Sequence, residues 1–390
     1  MNTNTTKRFW ILVTIVSISG FSQGMLLPLI AIIFENSGVS STINGLHATG
    51  LYIGVLLASP FMEQPLRRFG YKPIILIGGI IVISSLFAFP LWNSIIFWFM
   101  LRLLIGIGDH MLHFGTQTWI TSFSPEHKRG RNISLYGLAF GLGFAAGPLM
   151  TPLVEINASL PFIISGIISL IAWATVFFIK NEMPESDYDT TSFFGTLKRF
   201  AATWKYAWVA FLPPFGYGFL EASLNGNFPV YALRTGIDIQ SVSILLPAFA
   251  VGSIITQLPL GILSDKLGRK NILMIVLFLG FLSFTAASFL EHSVTGLLIS
   301  FIIAGMVVGS TFSLGISYMT DLLPKNLLPA GNLMCGIFFS FGSISGPLIG
   351  GLFIEFVDGA SFFHVISTML LCIFLAIISF KGQALDAIKQ

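Results

Sequence analysis

Five ionisable residues lie inside long apolar stretches of the sequence: Arg102, Asp109, His110, His113 and Glu221. A charged side chain at the centre of a lipid bilayer costs about 2.5–3.5 kcal/mol on insertion scales, so such residues are expected to have a partner, a wet cavity or a function. Carboxyl and imidazole groups can exchange protons, whereas a guanidinium keeps its charge. These residue types therefore point to proton transfer or to recognition of a charged ligand.

The spacing of these residues places four of them on one helix. Arg102, Asp109, His110 and His113 recur at steps of three, four and seven residues, so they share a helix face. We predict that at least one of them handles protons. The alternative is a static Arg102–Asp109 pair, with both histidines hydrogen-bonded to neighbouring helices. A metal site at Asp109 and His113 is disfavoured because the other half of the chain has no histidine cluster, so we predict none.

Glu221 supplies a second acid in a later apolar stretch. Tyr217, Glu221 and Asn225 are four residues apart and share one helix face. Glu221 is a candidate for solute binding or for proton coupling. The alternative is an acid that only makes structural hydrogen bonds.

The composition decides which class of protein must position these groups. The chain has 390 residues, of which 54% are hydrophobic and only 9% are charged, against about 25% charged in a soluble domain. This excludes a cytosolic enzyme and a disordered chain, and a net charge of +3 gives no support to nucleic-acid binding. The remaining class is a polytopic membrane protein. The chain has no HExxH, Walker or Ser-His-Asp pattern, so we expect neither an enzyme nor a cofactor.

Twelve apolar runs are long enough for helices that span a membrane, which takes roughly 20 residues. Runs such as 74–83 do not alternate between apolar and polar residues, which excludes a barrel. We predict an all-α protein. The runs cover about 9–34, 43–64, 73–92, 94–123, 132–154, 160–180, 206–233, 241–263, 271–290, 294–320, 330–354 and 361–381.

The distribution of Lys and Arg predicts the orientation. If the N-terminus is cytoplasmic, every Lys and Arg lies on the cytoplasmic side except Arg234 outside and Arg102 within a span. Both termini are therefore predicted to be cytoplasmic, in a protein of the cell (inner or plasma) membrane.

The polar stretch 181–205 is predicted to be a linker between the sixth and seventh runs. Its second part, from Phe193, fits an amphipathic helix at the inner membrane surface, or else an ordinary loop.

The two halves of the chain repeat each other at an offset of 198 or 199 residues. The matching positions are Gly70 with Gly268, Gly106 with Gly305, Pro125 with Pro324, and Gly143, Gly147 and Pro148 with Gly342, Gly346 and Pro347. We therefore predict two pseudo-symmetric six-helix halves, 1–180 and 206–390, joined by the linker. Parallel repeats of this kind build transporters that bind their solute near the membrane midplane.

A loop motif after the eighth run resembles that of the major facilitator superfamily. It comprises Gly261, Asp265, Gly268, Arg269 and Lys270, and the resemblance covers essentially the whole chain. In that family the Asp takes part in a charge pairing that closes the inner gate. The first-half copy is degenerate, with Glu63 in place of the opening Gly and Arg67 in place of the Asp. The resemblance thus implies a gate role for Asp265, with Glu63 as a possible substitute in the first half.

Two further motifs fit the same family. Arg102 with Gly106 resembles its membrane-embedded arginine motif. Gly143, Gly147 and Pro148 resemble the motif of its proton-coupled antiporters, with Thr151 and Pro152 in place of the last two glycines. Gly342, Gly346 and Pro347 belong to the full form of that motif. Two small residues four apart also let a neighbouring helix approach closely, so packing is the other interpretation.

The resemblance also implies which residues face the solute. In the family the first, fourth, seventh and tenth spans line a central cavity. We therefore expect solute binding by Gln23, Tyr217, Asn225, Ser313 and Ser317, and proton coupling by the five ionisable residues.

The predicted function is a secondary transporter that exchanges protons for a small lipophilic or amphipathic solute, in the direction of efflux. The alternative is a proton-coupled importer of a nutrient or metabolite; a transporter-like sensor or lipid-handling enzyme is disfavoured. The expected partners are the solute, protons and the bilayer, with no nucleic acid, and the expected state is a monomer.

Overall fold

The computed structural model describes residues 3–184, 193–324 and 327–380. These ranges are helical apart from short connections, and no strand occurs in them. Linker residues 185–192, on which part of the linker prediction falls, lie outside the described residues. The fold is therefore all-α, as the sequence predicts.

Within the described ranges, the long apolar helices form twelve consecutive segments, called spans below, which confirms the predicted number. Nine of them, within the described residues, are long and apolar enough to cross a membrane. The main helix of each span is, in order, Thr3–Asn36, Ser41–Ala58, Tyr71–Ala88, Ile95–Phe123, Glu126–Ala146, Leu160–Ala174, Leu212–Gly226, Ile239–Leu267, Arg269–Phe289, Val294–Val308, Leu328–Phe356 and Phe363–Ser379. Short helices extend several spans: Gly147–Glu155 the fifth, Thr175–Phe178 the sixth, Trp208–Phe211 and Phe228–Arg234 the seventh, and Thr311–Leu322 the tenth.

The second, seventh and twelfth spans are too short or too polar to be among these nine, each because of its own sequence. The second contains Asn44 and His47, which dilute its apolar character. The seventh is interrupted at Asn227, between Leu212–Gly226 and Phe228–Arg234. The twelfth has 17 residues.

Side-chain caps at the helix starts repeat between the two halves. Ser94 and Ser293 accept a hydrogen bond from the backbone amides of Phe97 and Gly296, at 3.5 and 3.1 Å. Such caps satisfy amide groups that have no partner within the helix. Before the eighth span, Asp238 accepts from the amide of Ser241 at 2.7 Å, and the hydrogen bonds from Ser241 hold the pKa of the Asp238 carboxyl below its ordinary value.

Close glycine contacts also repeat, so the duplication extends from sequence to packing. A Cβ on Gly143 would lie 1.9 Å from the carbonyl oxygen of Ser17, and one on Gly342 would lie 1.9 Å from that of Phe215. Thus the first span packs on the fifth and the seventh on the eleventh. The second and fourth spans meet at Gly106, and the eighth and tenth meet in the same way at Gly305.

The fifth and eleventh spans differ after their shared motif. The eleventh continues as an α-helix through Pro347, whereas the fifth becomes a 3₁₀-helix over Gly147–Glu155. The fifth span contains Pro152 in addition to Pro148, and each proline removes a backbone hydrogen-bond donor. Two prolines four residues apart explain why α-helical pairing is lost here.

Contacts divide the chain into two compact units, one of residues 1–187 and 238–247 and one of residues 188–237 and 248–390. The boundaries predicted at 180 and 206 stay a prediction. In the second unit, Phe193–Ala207 is an α-helix. Its Trp204 ring stacks on the Phe338 ring at 5.5 Å, while Lys198, Arg199 and Lys205 are exposed. Its location at a membrane surface also stays a prediction.

Candidate functional site

Asp109 lies in the middle of the fourth span and is 1% exposed. The Ser19 hydroxyl, on the first span, donates a hydrogen bond of 2.6 Å to its Oδ1 atom. The Gln23 amide donates to that same hydroxyl at 3.5 Å. The other carboxyl oxygen of Asp109, Oδ2, has no hydrogen-bonding partner among the described residues. The structure thus places a buried carboxyl, satisfied on one side only, between the first and fourth spans.

Arg102 is also 1% exposed, and it forms no ion pair with Asp109 in the described part of the chain. Its Nη2 atom donates to the carbonyl oxygens of Leu26 and Leu27, at 3.0 and 3.4 Å. The alternative of a static Arg102–Asp109 pair is therefore absent from this structure. Two turns of helix separate the residues, and each contacts the first span at a different level.

The two histidines contact different spans. His110 Nε2 lies 3.1 Å from the hydroxyl of Ser59, at the end of the second span. His113 Nδ1 lies 2.8 Å from the Tyr136 hydroxyl on the fifth span. The shared face predicted for these residues covers an arc of about 100°, which is wide enough to meet several neighbours. Within the described residues, no group of three or more His, Cys, Asp or Glu could hold a metal ion.

A cluster of serine hydroxyls next to Asp109 was not predicted. Ser22 lies 3.1 Å from Ser165 and 3.2 Å from Ser169, both on the sixth span. A cavity of about 20 Å³ is lined in part by Ser19, Ser22 and Ser169, and a water needs about 10–15 Å³ and at least two polar partners. The cavity beside these serines is therefore large enough for one water, although Asp109 itself does not line it. The sequence signal for this cluster was the pair Ser165 and Ser169, two polar residues four apart in an otherwise apolar helix.

Glu221 and Tyr217 are partly exposed, whereas most of the residues around them on the seventh span are buried. The Glu221 carboxyl forms no hydrogen bond with any described residue. Asn225, expected to share the helix face of Glu221, donates its side-chain amide to the Glu221 backbone carbonyl one turn earlier, at 2.9 Å. The Tyr217 ring lies 6.3 Å from the rings of Phe312 and Phe339. Glu221 therefore lies one helical turn from a cluster of three aromatic rings, which come from the seventh, tenth and eleventh spans.

The two serines proposed on the tenth span make different contacts. The exposed Ser313 donates its hydroxyl to the Ser310 carbonyl at 2.9 Å. The carbonyl of Ser317 accepts from Arg269 at 2.8 Å. Ser317 thereby belongs to the same cluster as the loop motif.

The loop motif of the second half forms a network around Arg269. The guanidinium reaches Asp265 at 3.2 Å, Asp321 at 2.9 Å and the Thr320 hydroxyl at 2.7 Å, which joins the loop to the tenth span. Gly268 has a φ of +92°, a conformation that favours glycine. Lys270 donates to the Phe380 carbonyl at 2.9 Å. Gly261 has open space around its Cβ position, so packing does not require a glycine there.

The residues of the antiporter-like motif pack tightly in both halves. A Cβ on Gly147 would lie 2.3 Å from the Met25 amide nitrogen, and one on Gly346 would lie 2.4 Å from the Phe219 carbonyl. Pro148 is the second residue of the 3₁₀ segment, and the Pro347 carbonyl accepts a hydrogen bond of 3.1 Å from Asn227. Close helix packing is thus one role of the motif.

Known transporter sequences match this chain along nearly its whole length. A sequence model of the Major Facilitator Superfamily matches residues 12–234 and 211–384. The chain is 62% identical over 377 residues to the Uncharacterized MFS-type transporter YfkF of Bacillus subtilis, covering 96% of both proteins. It is 25% identical over 408 residues to the Proton-coupled antiporter flippase LtaA of Staphylococcus haemolyticus, covering 98% of both. Multidrug resistance protein 1 of Bacillus subtilis is 25% identical over 383 residues, with 94% of this chain and 95% of that protein covered.

The fold agrees with a solved transporter structure as well. A crystal structure of a mutant of the nucleoside transporter NupG superimposes with a TM-score of 0.81 at 15% identity. The match covers 96% of this chain and all of that one, so it includes both six-helix halves.

Proposed function

Because the chain belongs to the major facilitator superfamily, we propose that it moves a small lipophilic or amphipathic solute across the cell membrane in exchange for protons. Transport occurs by alternating access, with both termini in the cytoplasm and solute leaving the cell. The single observation that carries this proposal is Asp109, a fully buried acid with no cationic partner among the described residues.

The environment of Asp109 couples its charge to its access to water. A buried carboxylate without a countercharge is costly, whereas the protonated acid is not. A proton on Asp109 therefore favours the conformation in which the residue is dry, and its loss favours one in which water reaches it. A ligand that binds one conformation better than another shifts their populations, so a proton gradient can drive the cycle.

The direction and the solute class are supported by relatives and by the seventh span. Two relatives carry the names antiporter flippase and multidrug resistance protein, which fits export of amphipathic molecules. The cluster of Tyr217, Phe312 and Phe339 offers an apolar surface for such a solute. Glu221, next to it and without a hydrogen bond to any described residue, suits a cationic group.

The test is transport in proteoliposomes under an imposed pH gradient. Solutes would first be selected by the rise in melting temperature that they cause in the purified protein, because a ligand of the folded state stabilises it. We expect the solute to move against the direction of the protons. Movement with the protons would support the importer instead, and transport that ignores the gradient would refute proton coupling.

Glu221→Gln is predicted to weaken binding of cationic amphipathic solutes about 10- to 100-fold. The variant loses a charged interaction worth about 1.5–3 kcal/mol, while shape and polarity are kept. Binding titrations of one cationic solute and of a neutral analogue would measure the effect. The neutral analogue should bind equally to both proteins, and an equal loss for both solutes would mean that Glu221 has a structural role.

A further inference from the structure

The helix Phe193–Ala207, called the linker helix below, comes directly before the seventh span but is a separate element. Its last residue, Ala207, has a φ of −135° and a ψ of 21°, outside the helical range, so the chain changes direction there. The segment Trp208–Phe211 then leads into the span. The linker helix therefore lies at the end of a membrane-spanning helix, where a membrane meets water.

One side of the linker helix packs on the second unit. Thr203 and Ala207, four residues apart, are fully buried. The Trp204 ring stacks on the Phe338 ring of the eleventh span at 5.5 Å and on the Phe211 ring at 6.3 Å. Because all these residues belong to the same unit, protein packing alone holds the helix in place.

Aromatic side chains stay partly exposed at the end of the linker helix. Trp204 is 44% exposed in spite of its stacking, and Tyr206 and Trp208 are also partly exposed. Trp and Tyr are enriched where a bilayer meets water, because each combines an apolar ring with a polar N–H or O–H group. Three such residues within five positions indicate that this end of the helix lies at a membrane surface.

The cations of the linker helix lie away from its buried side. At about 100° per residue, Lys198 and Lys205 are about 20° apart around the helix and lie opposite Thr203. Arg199 follows Lys198 and extends the charged side. All three cations are exposed, and none forms an ion pair or a side-chain hydrogen bond with a described residue.

Neighbouring acids do not neutralise this charge. The linker helix contains no Asp or Glu. Two acids of the second unit, Asp265 and Asp321, lie in the loops at the same end and are both bound by Arg269. Three positive charges thus stand beside an exposed aromatic ring, an arrangement that matches the negative headgroups and apolar chains of anionic phospholipids.

We propose that Lys198, Arg199 and Lys205 bind the headgroups of anionic phospholipids, with Trp204 inserted beside them, so that the linker helix is a lipid-recognition surface. A lipid offers phosphate oxygens to the cations and an apolar region to the ring, whereas a soluble anion offers only the first. The inference does not depend on the transported solute, on protons or on the direction of transport.

The test is a titration of the full-length protein, purified in detergent and stripped of lipid, with bound lipids counted by native mass spectrometry. One series uses phosphatidylglycerol and the other uses phosphatidylcholine. The triple variant Lys198→Gln, Arg199→Gln and Lys205→Gln should weaken binding of the first phosphatidylglycerol about 100-fold. Each Lys or Arg near an anionic surface contributes about 1 kcal/mol, which is about fivefold in affinity. Phosphatidylcholine binding should not change.

Two further variants separate this surface from charge in general. Arg68→Gln, Lys180→Gln and Lys266→Gln together remove three exposed cations elsewhere on the same predicted side of the membrane and should leave phosphatidylglycerol binding at the wild-type level. Lys198→Arg with Lys205→Arg keeps the charges and should also bind as wild type does. All three variants should melt at the wild-type temperature without lipid, because the altered side chains are exposed.

Equal phosphatidylglycerol binding by wild type and the triple variant of the linker helix would overturn the proposal. So would an equal loss in the variant that lacks the other three cations, because any charge on that side would then suffice. An equal loss of phosphatidylcholine would show that the helix contributes packing without recognising charge. Displacement of the lipid by glycerol phosphate at the same concentration would indicate a site for soluble anions, which also contradicts a lipid surface.

Discussion

Asp109→Asn is expected to abolish transport driven by a pH gradient and to leave solute exchange without a gradient intact. Asparagine keeps the size of the side chain and can still accept the hydrogen bond that Ser19 donates. It cannot gain or lose a proton, so the residue no longer couples its hydration to the gradient. Gradient-driven flux in proteoliposomes should fall to that of protein-free vesicles, while counterflow of labelled against unlabelled solute should continue at the wild-type rate.

Two controls separate coupling from folding in this experiment. Asp109→Glu keeps a titratable group at the position and should retain part of the gradient-driven flux. Glu291→Gln neutralises an acid in a loop, where it accepts a hydrogen bond from Tyr231, and should leave coupling unchanged. Wild-type flux in Asp109→Asn would mean that the proton is carried elsewhere. Loss of both flux and counterflow would show that the residue serves solute binding or folding.

The second large effect is expected from a single methyl group on the fifth span. Gly143→Ala places a Cβ 1.9 Å from the Ser17 carbonyl oxygen, nearer than a Cβ on any other glycine would lie to the opposite helix where the first and fifth spans meet. Backbone atoms cannot move aside as a flexible side chain can, so the two helices must separate. Overpacking of this kind costs about 1–3 kcal/mol, and the midpoint of thermal unfolding should fall clearly.

Gly141→Ala is the matched control, because it lies two residues away on the same helix with open space around its Cβ position. It should leave the midpoint unchanged or raise it slightly, since alanine favours a helix over glycine by up to about 1 kcal/mol. Gly342→Ala and Gly336→Ala form the equivalent pair in the eleventh span. Equal midpoints for Gly143→Ala and Gly141→Ala would contradict the packing role of the motif.

The architecture was predictable because it depends on local and repeated features of the sequence. Apolar length determines the number of spans, and the constant offset between halves identifies the duplication. Small residues four apart at Gly143 and Gly147 predicted a close helix contact without saying which helix would make it. The structure adds that the partner is the first span.

The details of the site were less predictable because they depend on which residue each side chain meets. Spacing placed Asp109 and Arg102 on one face, but it could not show that Arg102 would bind the carbonyls of the first span. The Ser19 hydroxyl and the serines of the sixth span become partners only when three spans pack together. The Glu182 carboxylate, at the start of the linker, pairs with Arg8 and accepts a hydrogen bond from Trp119 only because the fold brings these distant residues together.

The 3₁₀ segment of the fifth span has a consequence for how the two halves fit a bilayer. A 3₁₀-helix rises about 2.0 Å per residue against 1.5 Å for an α-helix, so the nine residues Gly147–Glu155 extend about 4 Å further than the same number in the α-helical eleventh span. The apolar stretches of the two spans, Arg131–Glu155 and Ala330–Phe356, have 25 and 27 residues. The 3₁₀ segment therefore brings the stretch with fewer residues to about the length of the other. Both halves can thus match one bilayer thickness, without the tilting or local thickening that a difference in length would require.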